Sequence, residues 1–167
     1  MGTKIFTFEG ISIVTFTNIP PIDWSKFAAN IFERVADAGI NIDMITQSPG
    51  MTGNLSLGFT FEDADIPKLL TVVNEITQYK KNPPMVNVGN VKIIIKSTEM
   101  EDSVGFAKKV FGALYKIDCI PLLITTALDE ISLLVHESAR SDLESELAKD
   151  FGADSFEGFY FGADSYY

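Results

Sequence analysis

Cysteine and histidine occur once each in the 167 residues, as Cys119 and His136. One cysteine excludes a disulfide within the chain, and a Cys/His zinc site lacks its ligands. Any nucleophile–histidine couple would have to use His136, at the end of an expected strand beside Glu137, where it reads as structural or solvated. Cys119 falls in a helix-to-strand turn and reads as a small hydrophobe. The only arginines are Arg34 and Arg140, both in helical contexts. No arginine is left for a phosphate-cradling loop, which sets aside an acylphosphatase-type hydrolase. Neither G-x-x-x-x-G-K-[ST] nor G-x-G-x-x-G occurs. Basic residues are few: 13 Lys and Arg stand against 23 Asp and Glu, net −10. That argues against a nucleic-acid backbone or an anionic membrane as partner. No apolar run approaches the roughly 20 residues that span a bilayer. Met1–Gly10 holds one lysine and no long apolar run, unlike a secretory signal. A cytoplasmic, non-enzymatic protein with no cofactor and no metal is expected.

What the chain does contain is 46% apolar residues, arranged as one pattern written twice. Ile11–Phe16 and Val91–Ile95 read as buried strands, each followed by a polar turn and a helix. The first helix carries Phe27, Ile31, Phe32 and Val35, the second Phe106, Val110, Phe111 and Leu114. Both stripes recur at i, i+4, i+5, i+8, which puts one helix face on a core. Strands at Ile42–Thr46 and Leu122–Thr126 follow, then alternating strands at Leu55–Phe61 and Ile131–Val135. A closing helix ends each unit, with Ile66, Leu69, Leu70 and Val73 in one and Leu143, Leu147 and Phe151 in the other. The expected fold class is α+β: two ferredoxin-like (βαββαβ) units in tandem, antiparallel sheets with helices on one face. The expected units are 1–83 and 84–167, joined at Tyr79–Gly89, where Pro83 and Pro84 stop any helix. Val86–Val88 would close the first sheet and Lys4–Phe8 would add a strand to it. The second unit carries an aromatic tail in which FGADS occurs twice, at Phe151–Ser155 and Phe161–Ser165. Phe159–Phe161 reads as its last strand, with partner docking as the other reading.

The segment Phe27–Ser48, FAANIFERVADAGINIDMITQS, resembles the regulatory tandem ACT domains of aspartokinases. So does Met100–Thr126, whose Ser103, Gly105 and Phe106 match the S-x-G-F effector-loop pattern of lysine-sensitive members. The resemblance covers about Ile11 to Phe151. It implies a stand-alone amino-acid sensor, the regulatory ACT pair without the kinase domain, that modulates an enzyme of amino-acid metabolism. It also implies a free amino acid, lysine- or threonine-like, as effector, a homodimer, and a separate enzyme subunit as partner.

An amino acid needs donors for its carboxylate and acceptors for its ammonium. The turn after the first strand supplies main-chain N–H groups at a helix start. Asp23, Trp24, Ser25 and Lys26 occupy it in the first unit, and Met100, Asp102, Ser103, Val104, Gly105 and Phe106 in the second. Asn41, Ile42 and Asp43 match the family's ligand-facing second strand, with Gln47 beyond them. Asp43 and Gln47 are expected to face Ser103 and Gly105 in a composite site. Capping explains Asp23, Ser25, Asp102 and Ser103 equally well. Asn41 also suits a turn, Asp43 an exposed edge, Gly39 a helix C-cap and Trp24 a surface staple. Lys26 in place of a small residue, and Pro121 on the second strand of unit two, favour an alternative. In that alternative the ACT pair has lost ligand binding and serves as a dimerisation or interaction subunit.

Overall fold

The computed structural model describes residues 2–50, 52–76 and 81–161. Among the described residues, seven strands and four α-helices follow the expected β-α-β-β-α order twice, with a last strand after them. The strands are β1 (Lys4–Ile19), β2 (Ile45–Pro49), β3 (Leu55–Glu62), β4 (Met85–Lys96), β5 (Leu123–Thr126), β6 (Glu130–His136) and β7 (Phe156–Phe161). The helices are α1 (Trp24–Asp37), α2 (Ile66–Glu75), α3 (Phe106–Lys116) and α4 (Arg140–Phe151). The second FGADS copy runs past Phe161, outside the described residues, as does part of the expected linker.

The chain divides into two compact units, Gly10–Val88 and Met1–Glu9 with Gly89–Tyr167. In the Gly10–Val88 unit, β3 pairs antiparallel with both β1 and β2. Alternate residues Val14 and Phe16 of β1 and Leu57, Phe59 and Phe61 of β3 point to one face. They share one core with Phe27, Ile31 and Val35 of α1 and Leu69 and Val72 of α2. Both helices therefore cover the same face of this sheet, as the period-2 strands and 3.6-period helices require. Leu70, expected in the stripe of α2, is exposed, and Val72 is buried in its place. Gly39 ends α1: its N–H bonds Ala36 O while Ile40 N bonds Val35 O, the paired bonds of a Schellman cap.

The other unit repeats the plan, with β6 between β4 and β5 in antiparallel register. Val91, Ile93 and Ile95 of β4 join Val110 and Leu114 of α3 and Leu143 and Leu147 of α4 in one core. Phe111 of α3 is exposed; Ala113 is the residue that turns inward.

The unit boundary differs from 83/84. The first nine residues belong with Gly89–Tyr167. Residues 5–9 of β1 pair with β7, and they do so in parallel, an exception to the antiparallel pattern. Ile5 is fully buried in the core that contains Val91 and Leu143. Thr7 donates to Glu144 at 2.8 Å, Lys4 pairs with Glu157 at 2.8 Å and Glu9 with Arg140. Phe8 stacks on Tyr160, with centroids 5.1 Å apart. Beyond Gly10, at φ +69°, the same strand serves the Gly10–Val88 unit. A glycine tolerates that conformation at little steric cost. Likewise β4 is one strand from Met85 to Lys96, so the expected Val86–Val88 and Val91–Ile95 strands are continuous.

Candidate functional site

In the Gly10–Val88 unit, β1 ends in an irregular stretch. Its register with β3 shifts between Phe16 and Ile19, and Asn18 lies at φ +58°. Pro20 and Pro21 then start a single 3-10 turn over Pro21–Asp23, closed by Asp23 N bonding Pro20 O at 3.0 Å. Proline at such a start costs nothing, because its missing N–H has no partner there. Asp23 is the N-cap of α1 by position, yet its side chain makes no capping hydrogen bond. Capping therefore does not account for this carboxylate.

A cleft of about 200 Å³ lies over this turn, lined by Thr17, Asn18, Ile19, Pro20, Asp23, Phe27 and Asn82. Buried Ile19 and Phe27 make its apolar part, and Asp23, Thr17 and two asparagines offer one carboxylate, one hydroxyl and two amides. Of the four residues expected here, only Asp23 lines the cleft. Trp24 is half-buried against the core of its own unit, and Ser25 and Lys26 point to solvent. Thr17, Asn18 and Asn82 were not expected. The N-I-P-P-I-D run that begins at Asn18 is a visible turn signal, whereas Asn82 lies 55 residues past Phe27 and nothing local marks it.

Asn41, Ile42 and Asp43 precede β2 rather than lying on it, since β2 begins at Ile45. The ladder slips there: Asp43 N bonds Thr60 O at 3.3 Å, while Met44 N bonds the Thr60 hydroxyl at 2.9 Å. A side-chain oxygen has replaced a main-chain acceptor, which ends the regular pairing. Gln47 lies on β2 opposite Leu57, exposed. None of these four lines the cleft.

In the other unit the turn from β4 to α3 is built differently. Ser97 is the cap: its hydroxyl accepts from Glu99 N at 3.3 Å, and its N–H bonds Asp129 O at 2.7 Å. Met100 N then bonds Ser97 O, and Asp102 N bonds Glu99 O. The N-cap of α3 is Gly105, at φ +106°, not Asp102 or Ser103. No side chain caps this helix, because the residue that would do so has none. Asp102, Ser103, Val104 and Gly105 are exposed, Met100 packs half-buried on the core, and Phe106 is buried against Phe151 at 5.2 Å.

The remaining chemistry-bearing residues have structural roles. His136 accepts from Ser138 N at 3.3 Å and ends β6. Burial pushes the Cys119 thiol up, away from the thiolate a nucleophile needs. Several carboxylates are tied down: Asp63 accepts from Ser12, Asp65 from Lys68 at 2.6 Å, Glu144 from Arg140 at 3.1 Å. Lys149 and Lys116 beside Glu146 hold its carboxyl below the usual range. Among the described residues, no cluster of three His, Cys, Asp or Glu could hold a metal ion, and no helix is long and apolar enough to cross a membrane.

No protein-family model matches the chain. An aspartokinase of Corynebacterium efficiens is 28% identical over 140 residues, covering 81% of this chain and 32% of that protein. The chain spans about a third of the length of the curated relatives it matches. A solved structure of aspartokinase alpha and beta subunits superposes with a TM-score of 0.79 at 24% identity, covering 90% of this chain and 99% of that one. The regulatory subunit of aspartate kinase from Thermus thermophilus, in ligand-free form, gives 0.76 at 18% identity, covering 90% and 97%.

Proposed function

We propose, from a chain that resembles aspartokinases in sequence and has the fold of their regulatory region, that it is an amino-acid-binding regulatory module. The observation that carries this is the cleft at the end of β1. It is lined by a carboxylate not used in capping, by hydroxyl and amide groups, and by buried apolar side chains. Asp23 accepts from the effector's ammonium group, and Thr17, Asn18 and Asn82 supply donors to its carboxylate. At about 200 Å³ the cleft is smaller than sites for drug-sized ligands and suits one free amino acid, lysine- or threonine-like. The open turn at Asp102–Gly105, the matching segment Asn41–Asp43 before β2, and Gln47 remain candidate contacts on the strength of the resemblance.

The coupling is thermodynamic. An effector that binds one conformation better shifts the population toward it, by no more than its differential affinity. The regulated protein is an enzyme of amino-acid metabolism.

Calorimetric titration with the twenty amino acids tests the reading. Binding is expected for at least one, and Asp23→Asn should weaken it about tenfold, the loss of one charge-assisted hydrogen bond. Failure of every amino acid to bind or to raise the melting temperature would refute it. Co-purification of an enzyme without such stabilisation would instead favour an interaction subunit that has lost ligand binding.

A further inference from the structure

A cavity of about 460 Å³ opens between the two helices of the Gly10–Val88 unit, within the size range of small-molecule sites. It shares no residue with the cleft at the end of β1. On α2 its lining residues are Lys68, Thr71, Val72 and Glu75, at i, i+3, i+4 and i+7, one continuous helix face. Arg34 and Asp37 of α1, with Ala38 just past it, line the other wall at i, i+3 and i+4. Val72 is buried in the core of this unit and Ala38 packs half-buried against it, so the cavity has an apolar part as well as charged walls.

The charges do not balance. Arg34 Nε donates to Asn30 at 3.1 Å, and its Nη1 to Glu75 on the facing helix at 3.1 Å. Lys68 pairs with Asp65 at 2.6 Å. Each cation thus has its own carboxylate. The Asp37 carboxylate has neither a hydrogen bond nor an ion pair among the described residues. Two cations meet three carboxylates, and one negative charge is left over. Asp37 is also the last residue of α1, and Glu75 the last of α2, where the helix dipole is itself negative. Helix stability disfavours a carboxylate at either position. Thr71 adds an acceptor: its hydroxyl donates to Pro67 O at 3.0 Å, which leaves its lone pairs for an incoming donor.

We infer that this cavity binds a primary aliphatic amine. The ammonium group sits against Asp37, and Thr71 and Glu75 accept its other protons, three donors for three acceptors. The alkyl stem lies on Val72 and Ala38 and removes their apolar surface from water. A simple anion does not suit the cavity, because Arg34 and Lys68 are already paired and Asp37 repels it. The net charge of −10 also favours the approach of a cation. This site does not rest on the effector reading of the cleft at the end of β1.

A nuclear magnetic resonance titration of the isotope-labelled full chain with 1-aminopentane at low salt tests it. Saturable binding with a Kd near or below about 1 mM is expected, with the amide signals of Ala38 and Thr71 among those that shift. Ammonium chloride, which lacks the stem, should bind at least about tenfold more weakly, and pentanoate should not shift these signals. Asp37→Asn should weaken amine binding about tenfold, the loss of one charge-assisted hydrogen bond. It should not lower the melting temperature of the unliganded chain, since Asp37 has no partner to lose. Asp23→Asn, in the other cleft, should leave amine binding unchanged. The inference is overturned if 1-aminopentane does not bind or if pentanoate binds as well. It is equally overturned if Asp37→Asn leaves the affinity intact, or if Asp23→Asn abolishes it.

Discussion

Replacing Ile5 by alanine removes a side chain that is fully buried, from a segment remote in sequence from the unit it completes. Ile5 packs in the core formed by Val91, Ile93, Ile95, Leu143 and Leu147. Three carbons are lost, worth about 0.8 kcal/mol each in transfer alone, or ~2.4 kcal/mol. The cavity left behind adds to this, so a loss of about 3 kcal/mol is expected, within the ~2–5 kcal/mol range for Ile→Ala in cores. For a unit of this size that lowers the melting temperature by more than roughly 10 °C. The assay is urea unfolding followed by far-ultraviolet circular dichroism, together with hydrogen exchange read by mass spectrometry. Amides of β4, β6 and α4 should lose protection first. The single tryptophan, Trp24, packs on the core of the Gly10–Val88 unit, so its fluorescence reports that unit separately. Leu69→Ala, in that other core, should shift the Trp24 signal by a similar amount. The reasoning is refuted if Ile5→Ala costs under about 1 kcal/mol, or if protection is lost mainly in β2 and β3.

Two further outcomes concern the turns and the helix pair. Gly105→Ala forces φ +106° on a residue with a Cβ and should destabilise the Gly89–Tyr167 unit by about 1 kcal/mol in thermal melts. Because the space around it is open, a loss far larger than this would show that something other than backbone strain is at work. Glu146 is held ionised by Lys149 and Lys116, so its folded-state pKa lies below its unfolded value. Its contribution is present above the unfolded pKa and disappears as pH falls through the folded one. Glu146→Gln should therefore lower stability slightly at neutral pH and have no effect in strong acid. An equal deficit at both pH values, measured by urea titration, would contradict this.

How much of the molecule was legible depends on the range of the interaction involved. The α1 stripe of Phe27, Ile31 and Val35 was readable because periodicity is a local property, and these residues form the core as expected. Gly39 was readable for the same reason, since a cap is set by its immediate neighbours. Leu70 and Phe111 were misplaced because a helix stripe can widen on either flank, and only packing against a particular sheet selects the flank of Val72 and Ala113. The N-cap of α3 shifted to Gly105 because Ser97 and a 3-10 turn took up the first polar residues.

The sequence by itself determined the doubled β-α-β-β-α order, the exclusion of disulfide and zinc chemistry, and the stretches that would make each core. Period-2 and period-3.6 patterns, residue counts and turn residues contain all of that. Tertiary structure alone decided which unit receives residues 4–9, since pairing with β7 links residues about 150 positions apart. It also decided that Asp23 meets Asn18 and Asn82 in one cleft while Ser25 and Lys26 turn to solvent. And it decided that Leu122 and Ile124, at an expected apolar strand, stay exposed while Leu123 between them is buried. Hydrophobic pattern says that a side chain will avoid water. Only the order of the strands says whether another part of the same chain is there to cover it.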